Sequence, residues 1–276
     1  MTSAAPIPRF GLIIIGDEIL SGKRQDKHMP KVIELLTARG LSLAWARYLG
    51  DDRAAITAAL RDAFASGDTV FSCGGIGATP DDHTRQCAAA ALGVELALHQ
   101  QARALIEERM RDMAREQGQP YDPNRPDNVH RLNMGVFPVG ARIIPNPYNK
   151  IPGFSCDGPG GGTVHFVPGF PVMAWPMIEW VLETFHAQDF RRVDWRERSV
   201  IVFGAMEAAL TPLMEQIEAA HPGVKVFSLP SVDHPEYGRH IELGVKGDDA
   251  QTRPAFAALL DGLRACGASL GPELVR

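Results

Sequence analysis

The chain has 276 residues, of which 45% are hydrophobic and 22% charged, and its formal net charge is −5. Those proportions exclude a disordered or fibrous chain and suit one main domain with a smaller one beside it, while the acidic balance argues against nucleic acid or an anionic membrane as partner. Four widely spaced cysteines, Cys73, Cys87, Cys156 and Cys266, form no C-x-x-C pair, which excludes a zinc ribbon and a disulfide framework.

Residues 1–9 are rich in Pro and Ala and lack the apolar core of a secretion signal. No apolar run is long enough to span a bilayer, so a cytoplasmic protein with no membrane partner is expected. Phe10 to Ile15 is an apolar run rich in β-branched residues, the pattern of a strand buried on both faces. Val32, Leu35 and Leu36 mark a helix that Gly40 stops. Leu41 to Leu49 reads as a second strand, and Ile56, Leu60, Ala63 and Phe64 as the stripe of a second helix. Thr69 to Cys73 is a third strand, ending in Gly74-Gly75-Ile76-Gly77, and a helix is predicted from about Asp82 to Leu92. Ala102 to Glu116 forms a charged helix and Gly118 to Asn128 a polar loop. Strand pattern returns at Ile143-Ile144 and Thr163 to Val167, with a helix running on to Phe185. Such alternation predicts an α/β domain over 8–190, a three-layer, mainly parallel sheet with helices on both faces. A charged linker falls at 188–197. From 196 to 276 a β-α-β-β-α order predicts a small α+β domain, with Thr211 as N-cap and Pro212 as first residue of its first helix.

Open parallel sheets bind ligands beyond the carboxyl ends of their strands. Three strands here end in unusual loops: Gly16 to Gly22, Gly74 to Asp82, and Pro168-Gly169-Phe170-Pro171. Glycines allow close backbone approach, and the following helix offers free N–H groups to a phosphate. Turn geometry alone explains a lone G-G-x-G about as well. The carboxylates shift that balance. Asp81-Asp82 and Asp51-Asp52 each stand at a strand-to-helix junction where one Asp would suffice as a cap, and Asp17 and Glu18 follow the first strand. An anionic ligand among them calls for a bridging divalent cation, Mg²⁺, Mn²⁺ or Co²⁺. Candidate ligands to that ion are Asp82, Asp51 and Asp26.

These residues resemble the MoaB/Mog/CinA molybdopterin-binding superfamily, and most of all the N-terminal and KH-like domains of CinA-type proteins. Gly16-Asp-Glu-Ile-Leu-Ser-Gly22 with Gln25-Asp26 is similar to a G-(T/D)-E-(L/I)-L-x-G opening. Gly74 to Thr84 resembles G-G-(L/I)-G-P-T-x-D-D-x-T, with Ala78 in place of Pro. Asn146 to Phe154 is similar to N-P-x-x-x-A-P-G-F, with Ile151 in place of Ala, and Pro168 to Pro171 to P-G-(V/I)-P. The resemblance implies roles for Asp82 and Asp51 as functional aspartates, and for Gly74, Gly75 and Gly77 as a phosphate loop. Asp81 and Lys150 join the two aspartates as catalytic candidates, Lys150 as a point charge toward phosphate. Gly16, Asp17, Glu18, Gly74, Gly75, Gly77, Thr79 and Gly169 are the ligand-binding candidates. The deamidase domain that ends full-length CinA is expected to be absent from a chain that stops at Arg276.

The function implied is metal-dependent cleavage of a phosphoanhydride in an ADP-containing nucleotide such as ADP-ribose or FAD. Molybdopterin binding or adenylylation is the alternative within the same fold, and a non-catalytic pterin or nucleotide binder the alternative outside enzymology. A homodimer or homotrimer is expected. His165 reads as a strand-packing residue, and Met173, Trp175, Met177 and Trp180 as core. Gly244-Val-Lys-Gly247 matches a KH-type G-x-x-G, but Asp248-Asp249 beside it would repel phosphates, so that domain reads as a scaffold.

Overall fold

Strand β1 (Phe10–Ile15) is buried at every position in the computed structural model, which describes residues 8–191 and 195–276. Successive side chains of a strand face opposite ways. Ile13 and Ile15 accordingly join one apolar cluster, and Phe10, Leu12 and Ile14 another. A sheet with two buried faces needs a helical layer on each, and the chain supplies both.

After β1 come α1 (Asp17–Leu20), α2 (His28–Thr37), β2 (Leu43–Leu49), α3 (Arg53–Ala65), β3 (Thr69–Cys73) and α4 (Thr84–Leu92). An excursion follows through β4 (Leu96–Leu98), α5 (Gln100–Glu116), α6 (Pro126–Arg131) and β5 (Val136–Pro138). The chain then returns with β6 (Arg142–Ile144), β7 (Gly153–Asp157), β8 (Thr163–Val167) and α7 (Pro171–Phe185). The six-stranded sheet has the order β2-β1-β3-β8-β7-β6. Its first four strands are parallel, while β7 and β6 run antiparallel to their neighbours. Val32 and Leu36 of α2 and Met177, Ile178, Val181 and Leu182 of α7 cover one face. Ile56, Leu60 and Phe64 of α3 and Cys87 and Ala88 of α4 cover the other. Each such side chain taken fully from water contributes roughly 1.5–3 kcal/mol.

Three local readings of the sequence need correction. Helix α4 starts at Thr84, not at Asp82, because the Asp82 carboxylate accepts from the Thr79 amide and hydroxyl and closes a turn ahead of the helix. The polar loop holds a short helix, α6, with Pro126 in its first turn. The sequence reading passes from Ile144 to Thr163 without strand β7, which begins at Gly153. That glycine is required by packing, since a Cβ there would lie 2.3 Å from the Phe166 carbonyl oxygen of the paired strand.

Packing divides the chain after Phe190; within the predicted linker, residues 192–194 lie outside the described ones, as do residues 1–7 of the N-terminal segment. The second unit contains β9 (Trp195–Phe203), α8 (Glu207–Ala220), β10 (Lys225–His234), β11 (Gly238–Asp248), α9 (Asp249–Ala265) and β12 (Ser269–Val275). Its sheet has the order β10-β11-β9-β12 and is antiparallel throughout. Leu210 and Ile217 of α8 and Leu259 and Leu263 of α9 pack on Val200, Val202, Leu243 and Val245. Strand β12 completes a pattern that the sequence reading ends one strand short. Helix α8 also starts four residues before Thr211, which lies inside it with its hydroxyl on the Glu207 carbonyl at 3.1 Å. Burial of Leu210 holds that first turn against the sheet despite Pro212 inside the helix. The G-x-x-G is part of β11, and at Gly244 a Cβ would collide with the Arg198 carbonyl at 2.6 Å. Among the described residues no helix is long and apolar enough to cross a membrane, and all four cysteines are free.

Candidate functional site

Strands β1, β3 and β8 are parallel neighbours, so the loops that leave them emerge on one edge of the sheet. They meet around a cavity of about 560 Å³. The first loop contributes Gly16 and Glu18, the second runs along the wall from Gly74 to Thr79 with Asp81 and Asp82, and the third gives Pro168, Gly169 and Phe170. Asp51 joins them from the junction of β2 and α3.

The glycine loop is shaped first by the protein itself. Gly74 has φ +108° and a Cβ on it would stand 2.3 Å from the Ile15 carbonyl oxygen. Gly75 has φ +68° and a Cβ would stand 2.1 Å from the Thr84 hydroxyl. Both positions require glycine whether or not a ligand is present. Beyond them, buried Arg85 of α4 donates to the carbonyl oxygens of Ile76 and Gly77, the latter at 2.6 Å. His130 of α6 bonds the Ala78 carbonyl at 3.0 Å. In a trans peptide the N–H points opposite to the C=O. Anchoring the Ile76 and Gly77 carbonyls on Arg85 therefore turns the Gly77 and Ala78 amides the other way. Two adjacent amides so turned suit an anion.

The acidic side of the cavity is equally organised. Asp52 caps α3 by accepting from the Ala55 amide at 2.7 Å, which leaves Asp51 without that duty. Asp51 is instead clamped to the first loop. Its Oδ2 accepts from the Asp17 amide at 2.9 Å, and its own amide donates to Asp17 Oδ1 at 3.2 Å. Partial burial pushes the Asp51 carboxyl above its ordinary range; the Asp17 amide opposes this, and the negative charges of Asp17, Glu18 and Asp81 add to it. Asp82 holds Thr79 through both its amide and its hydroxyl, at 2.8 and 2.6 Å.

Other candidates have different places. Asp17 stands behind Asp51 and off the cavity wall. Asp26, expected as a metal ligand, is also off the wall; its carboxylate accepts from the amides of His28 and Met29 and from the Tyr48 hydroxyl. Lys150 does not line the cavity. Its ammonium sits 2.6 Å from both Asp112 and Glu108 of α5, whose hydrogen bonds raise its pKa above the ordinary lysine value. Among the described residues, no group of three or more His, Cys, Asp or Glu side chains is arranged to hold a metal ion.

The cavity also has walls that sequence reasoning passed over. Arg24 supplies a cation and lies 5.8 Å over the Phe170 ring. Buried Asn146 organises its own turn, donating to Asn149 Oδ1 and the Ile151 carbonyl while accepting from the Tyr148 amide. Asn146, Asn149, Ile151 and Pro152 all line the cavity, so the third motif forms one of its walls. Met173 lines it too, while Met177 is in the core as expected. Nothing in the local sequence around Arg85 distinguishes it from a surface helix arginine.

Comparison with known proteins follows the same residues. The family model described as a probable molybdopterin binding domain matches residues 11–188. A CinA-like protein of Anaeromyxobacter dehalogenans (strain 2CP-C) is 32% identical over 247 residues, which are 88% of this chain and 56% of that protein. A protein of Pyrobaculum calidifontis is 30% identical over 238 residues, 85% of this chain and 87% of its own length. A crystal structure described as the protein CinA with unknown function, from Thermoplasma acidophilum, superposes with a TM-score of 0.53 at 28% identity, covering 63% of this chain and 97% of that one. The chain spans about half the length of the curated CinA-like relatives it matches.

Proposed function

The chain belongs to the molybdopterin-binding domain family of the MoaB, Mog and CinA proteins through residues 11–188, and from that premise we propose that it is a metal-dependent pyrophosphatase acting on an ADP-containing nucleotide such as ADP-ribose or FAD. One observation carries the reading. A single cavity is lined by Gly77 and Ala78, whose amides make no hydrogen bond among the described residues, and by a surplus of carboxylates, Glu18, Asp51, Asp81 and Asp82. Amides attract a phosphate and carboxylates repel it, so the pair of features makes sense together only with a cation between them.

The donor set fits a hard divalent ion. Magnesium is commonly held by one or two carboxylates, with phosphate oxygens and water completing the shell, so a three-residue cage is not needed. Asp51 and Asp82 would hold it, with Asp81 beside them; Asp26 is left out because it lies off the cavity wall, and Lys150 is left out of the phosphate contacts because it is paired with Glu108 and Asp112. Such an ion supplies charge neutralisation and activation of water at the anhydride. The glycine-loop amides would grip one phosphate, and Arg24 would meet the charge of the other. Phe170 and Met173, with Ile151 and Pro152, offer an apolar wall to a flat ring.

The family description itself favours a second reading, that the ring is a pterin and the chemistry molybdopterin binding or adenylylation. The test is a screen of ADP-ribose, FAD, NAD and molybdopterin for cleavage with Mg²⁺, Mn²⁺ or Co²⁺, run alongside thermal shift. Cleavage of a dinucleotide only with metal supports the pyrophosphatase. Stabilisation by molybdopterin without cleavage replaces it with the pterin reading. Asp82→Asn separates chemistry from architecture, because the amide oxygen still accepts from Thr79. Melting is expected to stay near native while turnover falls about 10²-fold or more. A full-rate Asp82→Asn protein with metal present would retire the carboxylate mechanism.

A further inference from the structure

Across the glycine loop from the main cavity lies a second one of about 300 Å³. Ala78, Thr79 and Asp82 line both, so this short segment is their common wall. The two cavities differ in polarity. Glu18, Asp51, Asp81 and Asp82 face Arg24 on the main side, whereas Arg53, Arg85, His83 and His130 face Asp82 on the other.

Two of those basic groups are committed, Arg85 to the Ile76 and Gly77 carbonyls and His130 to that of Ala78. Arg53 and His83 are not. Among the described residues the Arg53 guanidinium makes no hydrogen bond or ion pair. In the same unit Arg39, Arg47, Arg103, Arg125 and Arg142 each hold a carboxylate. An exposed arginine without a partner is ordinarily just hydrated. Arg53 differs in sharing a concave wall with the His83 ring and the Gln86 amide, neither of which makes a side-chain hydrogen bond among the described residues, although the Asp81 charge acts on His83. His83 and Gln86 belong to the start of α4, where the Thr84 amide is taken by the Gly75 carbonyl at 3.0 Å while the helix dipole favours negative charge. One carboxylate shares this wall with the four basic groups, that of Asp82, whose Oδ2 accepts from the Thr79 amide and hydroxyl.

We propose that this cavity is a second anion subsite that takes a terminal phosphate of the ligand through the Arg53 fork, with His83 and Gln86 as flanking donors. A guanidinium presents parallel N–H groups that match two phosphate oxygens. The volume is near the lower limit of ligand pockets, enough for a phosphate with part of a sugar. The proposal rests on the reading of the main cavity as a nucleotide or pterin site, since a ligand with two anionic groups could then straddle residues 78–82. Within the ADP-containing class it selects ligands with a phosphate at the end as well as in the middle, and ADP-ribose and FAD, whose phosphates are internal, would leave this subsite empty.

The probe is inorganic phosphate, titrated at constant ionic strength into the full chain while ¹⁵N resonances are followed in wild type, Arg53→Lys and Arg53→Met. Arg53 is exposed in the first turn of α3, so these variants keep the fold. Saturable shifts at His83 and Gln86 are expected in wild type. Their midpoint should rise at least about tenfold in Arg53→Met, with Arg53→Lys between the two because it keeps the charge and loses the fork. No shift at His83 and Gln86, or an unchanged midpoint in Arg53→Met, overturns the subsite. Gly75 and Gly77 report on the main cavity in the same spectra. If they respond to phosphate while His83 and Gln86 do not, the second subsite fails and the proposed function stands. The reverse pattern keeps the subsite and removes the phosphate reading of the glycine loop.

Discussion

Arg85 is 4% exposed, and a buried guanidinium is costly unless its N–H groups are satisfied. Two loop carbonyls answer part of that need, while burial lowers its pKa and the nearby Asp82 charge raises it. The side chain thus couples helix packing to the aim of the Gly77 and Ala78 amides. Replacing it by methionine keeps bulk and frees the carbonyls. Arg85→Met should weaken binding of the ligand found in the substrate screen at least about tenfold, or ~1.4 kcal/mol, by isothermal titration. Arg85→Lys, which can still reach one carbonyl, should fall between. Wild-type affinity in Arg85→Met would mean the amides hold their aim without the tether. Gly75→Ala has a different expected effect. Strain at φ +68° and the 2.1 Å approach to Thr84 act in the fold itself, so a loss of about 1–3 kcal/mol should appear in urea denaturation without ligand. Undiminished stability there would assign the glycine to the ligand instead.

At the scale of elements, β8 and α7 enclose a histidine that must stay neutral. His165 lies between the rings of Phe71 and Phe185, with centroids 5.6 and 6.0 Å away, and its Nδ1 is 2.8 Å from the Ser155 hydroxyl. Burial, with the charges of His186 and Arg142, lowers its pKa from 6.5 to about 3. Between those two values the unfolded chain binds a proton that the native chain refuses. The stability this site contributes is therefore complete above pH 6.5 and drains away as pH falls toward 3. Urea midpoints taken from pH 7 to pH 4 should drop steeply in wild type and less in His165→Phe. The variant should start about 1 kcal/mol lower at pH 7, because Ser155 loses its partner. Equal slopes in the two proteins would place the acid sensitivity in other groups.

Over the whole molecule, each apolar cluster closes within one unit. Two are built from residues up to Leu182, with Phe185 and Phe190 at the margin, and the third from Val200 onward. The first unit holds both cavities as well. A chain ended after Phe190 should therefore melt in one cooperative transition by circular dichroism and keep its thermal shift with ligand. Loss of near-ultraviolet signal with exposed apolar surface would show that the second unit is needed for packing of the first. Sedimentation of the full and shortened chains tests the expected homo-oligomer in the same series.

Some of this was written in the sequence and some was not. The continuous apolar run from Phe10 to Ile15, the helical stripes at Val32 to Leu36 and at Ile56 to Phe64, and three loops after parallel strands were enough for the layered α/β fold and for the rim that bears the cavity. Those are local patterns, and a local pattern decides which face of an element must be buried. Pairing between distant segments is not local. Lys150 looks like a phosphate contact until α5 brings Glu108 and Asp112 against it, 42 and 38 residues away. Asp51 and Asp52 look equivalent until one caps α3 and the other locks onto Asp17. Gly75 looks like room for a ligand, though it is room for Thr84, and Arg85 looks like surface until the glycine loop folds over it. In each case the sequence determined what a side chain could bond, and the tertiary fold decided which partner came within reach, because hydrogen bonds and ion pairs act over a few ångströms while the residues that make them lie from 3 to 42 positions apart.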